Sequence, residues 1–478
     1  MAARHRSSGS PVRHVLSTVK PSLDEIADQP TLVAPLVQPT VYIETYGCQM
    51  NVSDSELMYG QLAAAGYRAV DAPDGADVIL VNTCAIREHA EQRVMGRLGE
   101  LKKFMTAGSL VGVTGCMAQR LGPKLLKQAK HVSLVVGPDG YRALPELIKA
   151  ARSGEKFVAT DFDINEHYED VVPRRFDGVK AWIPVQRGCN YRCTYCIVPT
   201  TRGNERSRQL ADVVRETQKV VEQGIYEVVL LGQTVNSYND GTYDFADLLR
   251  AVGAVDGVKR VRFTSPHPND FSDRVIEAMA TVATVCEHVH LPMQSGSTAM
   301  LKRMLRRYSR EDYFACVDKL RSAIPGLGVT TDIIVGFPGE TDEEFESTIT
   351  ACQQVRFDDA FMFKFSPREG TPATRMPPEW TVSDAVVTTR FDRLMKTVRG
   401  LSRERNLARL GERTEILIEK QARDGEMWQG RTRDFKTVMV PADSGVLGQL
   451  INVELTGTTG ATFTGTPLRS RTPLPMAK

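Results

Sequence analysis

Three cysteines, Cys189, Cys193 and Cys196, fall within the nine residues GCNYRCTYC. Thiolates at CxxxCxxC spacing can hold three irons of a 4Fe–4S cube and leave the fourth iron open to a substrate, whereas electron-transfer clusters are closed by four cysteines. Zinc is the competing occupant. It needs a fourth ligand, and no His or further Cys lies close in sequence, though His167 and His267 could reach the site in space. Three further cysteines, Cys48, Cys84 and Cys116, stand in YGC, NTC and TGC, each directly behind a short run rich in β-branched residues. Cys286, Cys316 and Cys352 lie in apolar segments (ATVCEHV, YFACVDKL, TITACQQ) and read as core packing.

Elements that could position these groups follow from the hydrophobic pattern. From residue 41 short apolar runs (VYIETYG, ADVILVNTC, SLVGVTGC, VSLVVGP) alternate with helical stretches. That pattern predicts an open parallel sheet with crossover helices. Such sheets bind ligands at the carboxyl ends of their strands, so the geometry predicts that Cys48, Cys84 and Cys116 meet there. Near residue 181 a second series starts: AWIPVQRG, EVVLLGQ, RVRFTS, EHVHLPM, GVTTDIIVGF and DAFMFKFSP. Six βα units make a partial (βα)6 barrel, whose chemistry belongs at the strand C-termini. There stand GCNYRCTYC, the Gly232–Gln233 pair of LLGQTVNSY, Ser265 of TSPHP, and Gly336 of VGFPGE. Beyond Gly411 the texture turns to short strands and turns, predicting a small β-barrel.

The domain reading is therefore a flexible extension over 1–38, an α/β sheet domain over 39–155, the partial barrel over 175–405 and the β-barrel over 408–472. No run approaches the roughly 18 consecutive apolar residues of a membrane helix, and no secretory leader is read in the polar first 20 residues. Nine cysteines in a chain of 478 residues point to reduced thiols and a cytoplasmic location, with a monomer as the expected state. A formal charge of only +2 means that RNA, if bound, is bound by local patches. Three candidates stand out. LKRMLRRYSR (301–310) has five Lys or Arg and no acid; it reads as a solvated helix face or a phosphate contact. Between Arg390 and Arg413 eight Lys or Arg face three acids. In the last segment Arg431, Arg433 and Lys436 interleave with Trp428, Phe435 and Phe463, a composition suited to stacking on RNA bases.

CxxxCxxC with Tyr195 before its last cysteine resembles the signature of radical S-adenosylmethionine enzymes, and the partial barrel is that superfamily's fold. The likeness extends further. ETYGCQMNVSDSE, VNTCAIRE, TGCMAQR, GCNYRCTYCIVPTTRGNERSR, LLGQTVNSY, FTSPHP, HLPMQSGS and DIIVGFPGETDEEF run colinearly over residues 44–345. Together they resemble the methylthiotransferases, and the last segment resembles their TRAM domain. The resemblance implies two 4Fe–4S clusters, one on Cys189, Cys193 and Cys196 and one on Cys48, Cys84 and Cys116. The first opens S-adenosylmethionine to a 5′-deoxyadenosyl radical; the second holds the sulfur-containing group to be transferred. It implies two roles for S-adenosylmethionine, as methyl donor and as radical source, a low-potential electron donor and a sulfur source. Tyr195, Gly232, Gln233, Ser265 and Gly336 are the candidate S-adenosylmethionine contacts; no catalytic side chain is assigned beyond the cluster ligands. CQMN after the first cysteine resembles the tRNA-modifying branch, whose substrate is tRNA carrying N6-dimethylallyladenosine beside the anticodon, methylthiolated at C2. The alternatives are the same chemistry on a ribosomal-protein aspartate or on threonylcarbamoyl-adenosine tRNA, and a non-catalytic iron–sulfur RNA-binding regulator.

Overall fold

The computed structural model describes residues 12–14, 38–85, 88–176, 178–423 and 425–468. Contacts divide the chain into two units. The first runs to Phe176 and takes in Ile197–Asn204; the second comprises Asp177–Cys196 and everything from Glu205.

In the first unit a seven-stranded sheet is built from β1 (Val12–His14), β2 (Thr40–Thr45), β3 (Arg68–Ala69), β4 (Val78–Thr83), β5 (Leu110–Gly115), β6 (Val132–Val136) and β7 (Lys156–Ala159). All pairings are parallel, in the order β1-β7-β6-β5-β4-β2-β3. VILVNT of β4 and LVGVTG of β5 are buried at every position, as central parallel strands must be when helices cover both faces. Two apolar clusters flank the sheet, one around Leu62, Leu80 and Tyr141 and one around Ile79, Val113 and Leu125. The extension expected to be flexible contributes the edge strand β1; the remainder of that expectation falls outside the described residues.

The second unit opens with β8 (Lys180–Pro184), followed by β9 (Gln186–Arg187) and β10 (Arg206–Ser207), which pair with each other. Next come β11 (Glu227–Leu231), β12 (Arg260–Phe263), β13 (His288–His290), β14 (Gly328–Val335) and β15 (Asp359–Lys364). The six expected strands are present and parallel, as two three-stranded sheets, β12-β11-β8 and β13-β14-β15. Among the described residues one isolated parallel bridge, Val261 to Val285, joins them. The crossover helices start where their sequences prescribe: Ser309 with Asp312, and Thr341 with Glu344, form reciprocal capping boxes.

The last five strands, β16 (Arg413–Gln421), β17 (Met427–Thr432), β18 (Thr437–Pro441), β19 (Leu450–Thr458) and β20 (Thr462–Pro467), close into a barrel around Ile416, Val453 and Phe463. Three of its basic residues, expected to line an RNA-stacking surface, have partners within the protein. Arg433 makes a two-pronged bond to Glu287 at 2.7 and 2.8 Å. Lys436 is buried and donates to the Asp358 carbonyl at 2.9 Å. Arg431 pairs with Glu419 and lies over the Phe435 ring. From the opposite side, Arg260 and Arg262 of β12 donate to the carbonyls of Arg431, Thr432 and Arg433 at 2.8 Å each. Arg433, Lys436, Arg260 and Arg262 fasten the small barrel to the partial barrel, while the Arg431 side chain stays within the small barrel. The basic span before it is half-used in the same way. Arg390 is buried on Glu340 and Asp342, Arg393 pairs with Glu346, and Arg405 with Asp358. Lys396, Arg399 and Arg403 lie exposed along the helix Asp384–Leu407.

Candidate active site: two sets of three cysteines

Cys48, Cys84 and Cys116 follow β2, β4 and β5, which are adjacent in the sheet. Two glycines let their loops close up. Gly47 has φ +149°, and a Cβ there would lie 2.2 Å from Asn51 Oδ1 and 2.9 Å from Cys84 Cβ. Gly115 has φ +87°, with Asn82 Oδ1 and the Thr83 carbonyl each 2.5 Å from where a Cβ would sit. Only glycine meets both the space and the backbone requirement. Polar side chains then lace the strand ends together. Asn82 Nδ2 donates to the Asn51 carbonyl at 2.8 Å and Ser55 Oγ at 2.9 Å, Asn51 Nδ2 donates to the Thr83 carbonyl at 3.3 Å, and the Cys48 N–H donates to Asn51 Oδ1 at 3.3 Å.

A hydrogen bond from Cys84 holds the Cys48 thiol down to about 6, and the charge of Arg202 adds to the effect. Burial pushes the Cys116 thiol up, with Arg202 pulling against it. Arg202 ends a short helix, Val198–Arg202, whose segment begins one residue after Cys196 and belongs to this unit. Its Nε donates to Cys116 Sγ at 3.2 Å and its Nη2 to Asp54 at 2.6 Å. Arg202 and Asp54 are 3% and 0% exposed. Tyr141 OH donates to the same carboxylate.

In the second unit the GCNYRCTYC loop leaves β9 at Gly188, which has φ +77°. The Gly188 N–H donates to the side-chain oxygen of Gln233, so Gln233 fixes the start of the cysteine loop. Cys189 Sγ lies 3.2 Å from Thr234 Oγ1. Thr234 is held by Gln186, which accepts from its N–H at 3.0 Å and donates to its carbonyl at 3.0 Å. Cys193 Sγ accepts from Arg306 Nη1 at 3.5 Å, and Arg306 is buried. Thr194 anchors the middle of the loop: its N–H donates to the Met304 carbonyl, and its own carbonyl accepts from Ala373. Tyr191 stacks on His267 with centroids 3.8 Å apart and donates to Asp270 at 2.9 Å.

The remaining candidates stand at the same strand ends. Tyr195 packs beside Met300, Met304 and Phe337. Gly232 follows β11 directly, where a Cβ would come within 2.8 Å of Gln186 Oε1. Ser265, two residues past β12, takes a left-handed φ of +59°. Gly336, at φ +77°, donates its N–H to Glu340 and faces Val387. Cys286 and Cys352 are buried, with Cys316 half-buried against the barrel core, in agreement with the packing reading.

Two functional residues escaped sequence reasoning. Arg202 and Arg306 each place a guanidinium on one thiol of one set. Arg306 belongs to LKRMLRRYSR, which reads as a solvated face or a phosphate contact; Lys302 and Arg307 are exposed there, whereas Arg303 pairs with Glu344 and the buried Arg306 bonds to Cys193. Among the described residues no three His, Cys, Asp or Glu side chains converge tightly enough to hold one metal ion. The donors in each set are cysteine sulfurs, the ligand type that such a cluster takes. The donor sets also fit in charge, since a cluster held by three thiolates is anionic and each set carries a buried arginine.

Residues 40–137 match the uncharacterized protein family UPF0004, and residues 183–352 match the radical SAM superfamily. The tRNA-2-methylthio-N(6)-dimethylallyladenosine synthase of Acetivibrio thermocellus is 44% identical over 425 residues, covering 86% of this chain and 88% of that protein. The synthase of the same name from Chloroherpeton thalassium is 42% identical over 435 residues, covering 90% and 96%. Among solved structures, the radical S-adenosylmethionine methyltransferase TsrM of Kitasatospora setae superposes with a TM-score of 0.55 at 16% identity, over 70% of this chain and 77% of that one. That last likeness is one of fold. With identity above two-fifths along nearly the whole length of both chains, the chain belongs to the tRNA-2-methylthio-N(6)-dimethylallyladenosine synthase family of radical S-adenosylmethionine enzymes.

Proposed function

We propose that this enzyme replaces the C2 hydrogen of N6-dimethylallyladenosine in tRNA by a methylthio group, using two clusters on two separate cysteine sets. Membership of the radical SAM superfamily carries with it one 4Fe–4S cluster and S-adenosylmethionine. Cys189, Cys193 and Cys196 would hold that cluster; Cys48, Cys84 and Cys116 would hold the second. When bound, the first supplies the electron that cleaves S-adenosylmethionine and the second presents the sulfur to be transferred. The observation that carries this reading is the placement of one cysteine set at the ends of the parallel strands β2, β4 and β5 and of the other in the loop that leaves β9, each with a buried arginine on one of its thiols.

The chain's own residues prepare both sites. Gln233, Gln186 and Thr234 fix the loop of Cys189 through three hydrogen bonds. Arg306 donates a hydrogen bond to the sulfur of Cys193 and so fixes the middle of the same loop. Asn51 and Asn82 hold the loops of Cys48 and Cys84 against each other. Such preorganisation keeps three soft donors facing one space, without a rearrangement when the cluster loads. On this reading the tRNA, a low-potential reductant and a sulfur source are the partners, and the other methylthiotransferase substrates and the regulator reading are not favoured.

The substrate assignment is tested with the reconstituted enzyme on tRNA with and without the dimethylallyl group. Burying a five-carbon chain stabilises the complex by up to a few kcal/mol, at ~0.8 kcal/mol per CH₂-sized group. Methylthiolation followed by nucleoside mass spectrometry should therefore be about a hundredfold faster on prenylated tRNA, for about 2.8 kcal/mol of that burial realised, since 1.4 kcal/mol is a factor of ten. Equal rates on the two tRNAs would reject the assignment.

A further inference from the structure

We propose that Arg202 binds the sulfur-bearing anion at the N-terminal cysteine set, offering its Nη1 N–H groups to a hydrosulfide or methanethiolate held at the open iron. This rests on the reading that Cys48, Cys84 and Cys116 carry a cluster of their own.

The argument is an accounting of one guanidinium. Arginine carries five N–H donors in a rigid planar fork and stays charged at any pH a folded protein meets. Two corners of the Arg202 fork are engaged: Nε on Cys116 Sγ at 3.2 Å, and Nη2 on Asp54 at 2.6 Å. The third corner, Nη1, is buried and has no hydrogen-bond partner among the described residues. Arg202 as a whole is 3% exposed. Buried donors are almost always satisfied, and one left over on a charged group is costly. A counter-ion for Asp54 needs only the Nη2 corner, so the ion pair alone does not account for an arginine. A lysine would make that pair equally well, but would lack the fork that touches a cysteine sulfur at one corner and keeps another corner free.

The chemistry of the missing acceptor follows from its surroundings. Nε already donates to a sulfur, which places the guanidinium at the edge of the three-thiol set rather than in a separate pocket. A small anion bound to the open iron of that set would lie against the same guanidinium. Guanidinium is weakly hydrated and suited to buried anions, and its bonds to anionic acceptors are strong and directional. Sulfur anions of one or two heavy atoms fit both the iron and the buried donor. Arg202 is thus a binding residue for the sulfur to be transferred, in addition to its contact with Cys116.

The test uses the full-length chain with Cys189, Cys193 and Cys196 replaced by Ala, so that only the N-terminal set loads iron. Into this background go Arg202→Lys and Arg202→Gln. Iron per chain is measured after anaerobic reconstitution, and the electron paramagnetic resonance spectrum of the reduced cluster is titrated with sodium methanethiolate. The parent and both variants should load about four irons per chain, one cluster. The parent spectrum should change saturably, and both variants should need at least about tenfold more methanethiolate for the same change, a loss of one charge-assisted bond. Unchanged titration midpoints with iron retained would overturn the proposal. Loss of iron in both variants would also overturn it, by making Arg202 a residue that holds the cluster instead of its ligand. Absence of iron from the parent would strike the second-cluster reading itself, and the proposal with it.

Discussion

Replacing Cys48, Cys84 and Cys116 together by Ala is expected to halve the iron of the reconstituted enzyme, from about eight to about four per chain, and to abolish methylthiolation while reductive formation of 5′-deoxyadenosine continues. Replacing Cys189, Cys193 and Cys196 should halve the iron equally but abolish 5′-deoxyadenosine as well. The asymmetry follows from the division of labour between two sites built on different sheets. One set stands at the ends of β2, β4 and β5; the other lies in the loop that leaves β9. The two sets have no cysteine in common, and Arg202 bonds to Cys116 of one while Arg306 bonds to Cys193 of the other. Iron analysis beside product chromatography checks both variants in one preparation. Full methylthiolation by the N-terminal triple variant would refute the assignment of the second cluster.

Asp54→Ala is expected to cost ~3–5 kcal/mol in the stability of the N-terminal unit, because it leaves Arg202 charged and buried without its carboxylate. The exposures of 0% and 3% put this pair among fully buried ion pairs, for which breaking one side costs far more than the intact pair contributes. Pairing Asp54→Ala with Arg202→Met should recover much of the loss, since the double variant buries no orphan charge. The three tryptophans, Trp182, Trp380 and Trp428, all lie in the other unit, so their fluorescence does not report on this one. Amide hydrogen exchange in β4 and β5 does. Equal exchange in the single and double variants would show that the ion pair has no such role.

The cysteine sets were legible because their signals are local. A cysteine directly behind a β-branched run stands at a strand end whatever the tertiary detail, and CxxxCxxC needs only one loop. The order of the βα units and the closing β-barrel were legible for the same reason, as periodicity and turn residues encode them. What stayed hidden depends on which surface meets which. Arg202 in PTTRG and Arg306 in LKRMLRRYSR look like any solvated arginine. Their burial is decided by elements far away in sequence, β5 for one and the cysteine loop for the other. Arg431, Arg433 and Lys436 show the same dependence on distant partners. Interleaved with aromatics they resemble an RNA-binding face, yet Glu287, Asp358 and Glu419 draw them inward. The helix Gln49–Ala64 shows the same limit. Asn51, Ser53, Asp54, Ser55 and Glu56 are buried, because the polar network beneath the cysteines needs them where an amphipathic pattern would place apolar side chains.

Mass spectrometry of tRNA nucleosides from cells lacking this chain tests the central claim most directly. The account predicts that 2-methylthio-N6-dimethylallyladenosine disappears and N6-dimethylallyladenosine accumulates in its place. Expression of the intact chain should restore the methylthiolated nucleoside, whereas expression of the Cys48→Ala, Cys84→Ala, Cys116→Ala variant should not. Persistence of the methylthiolated nucleoside without the chain, or its return with that variant, would contradict the account.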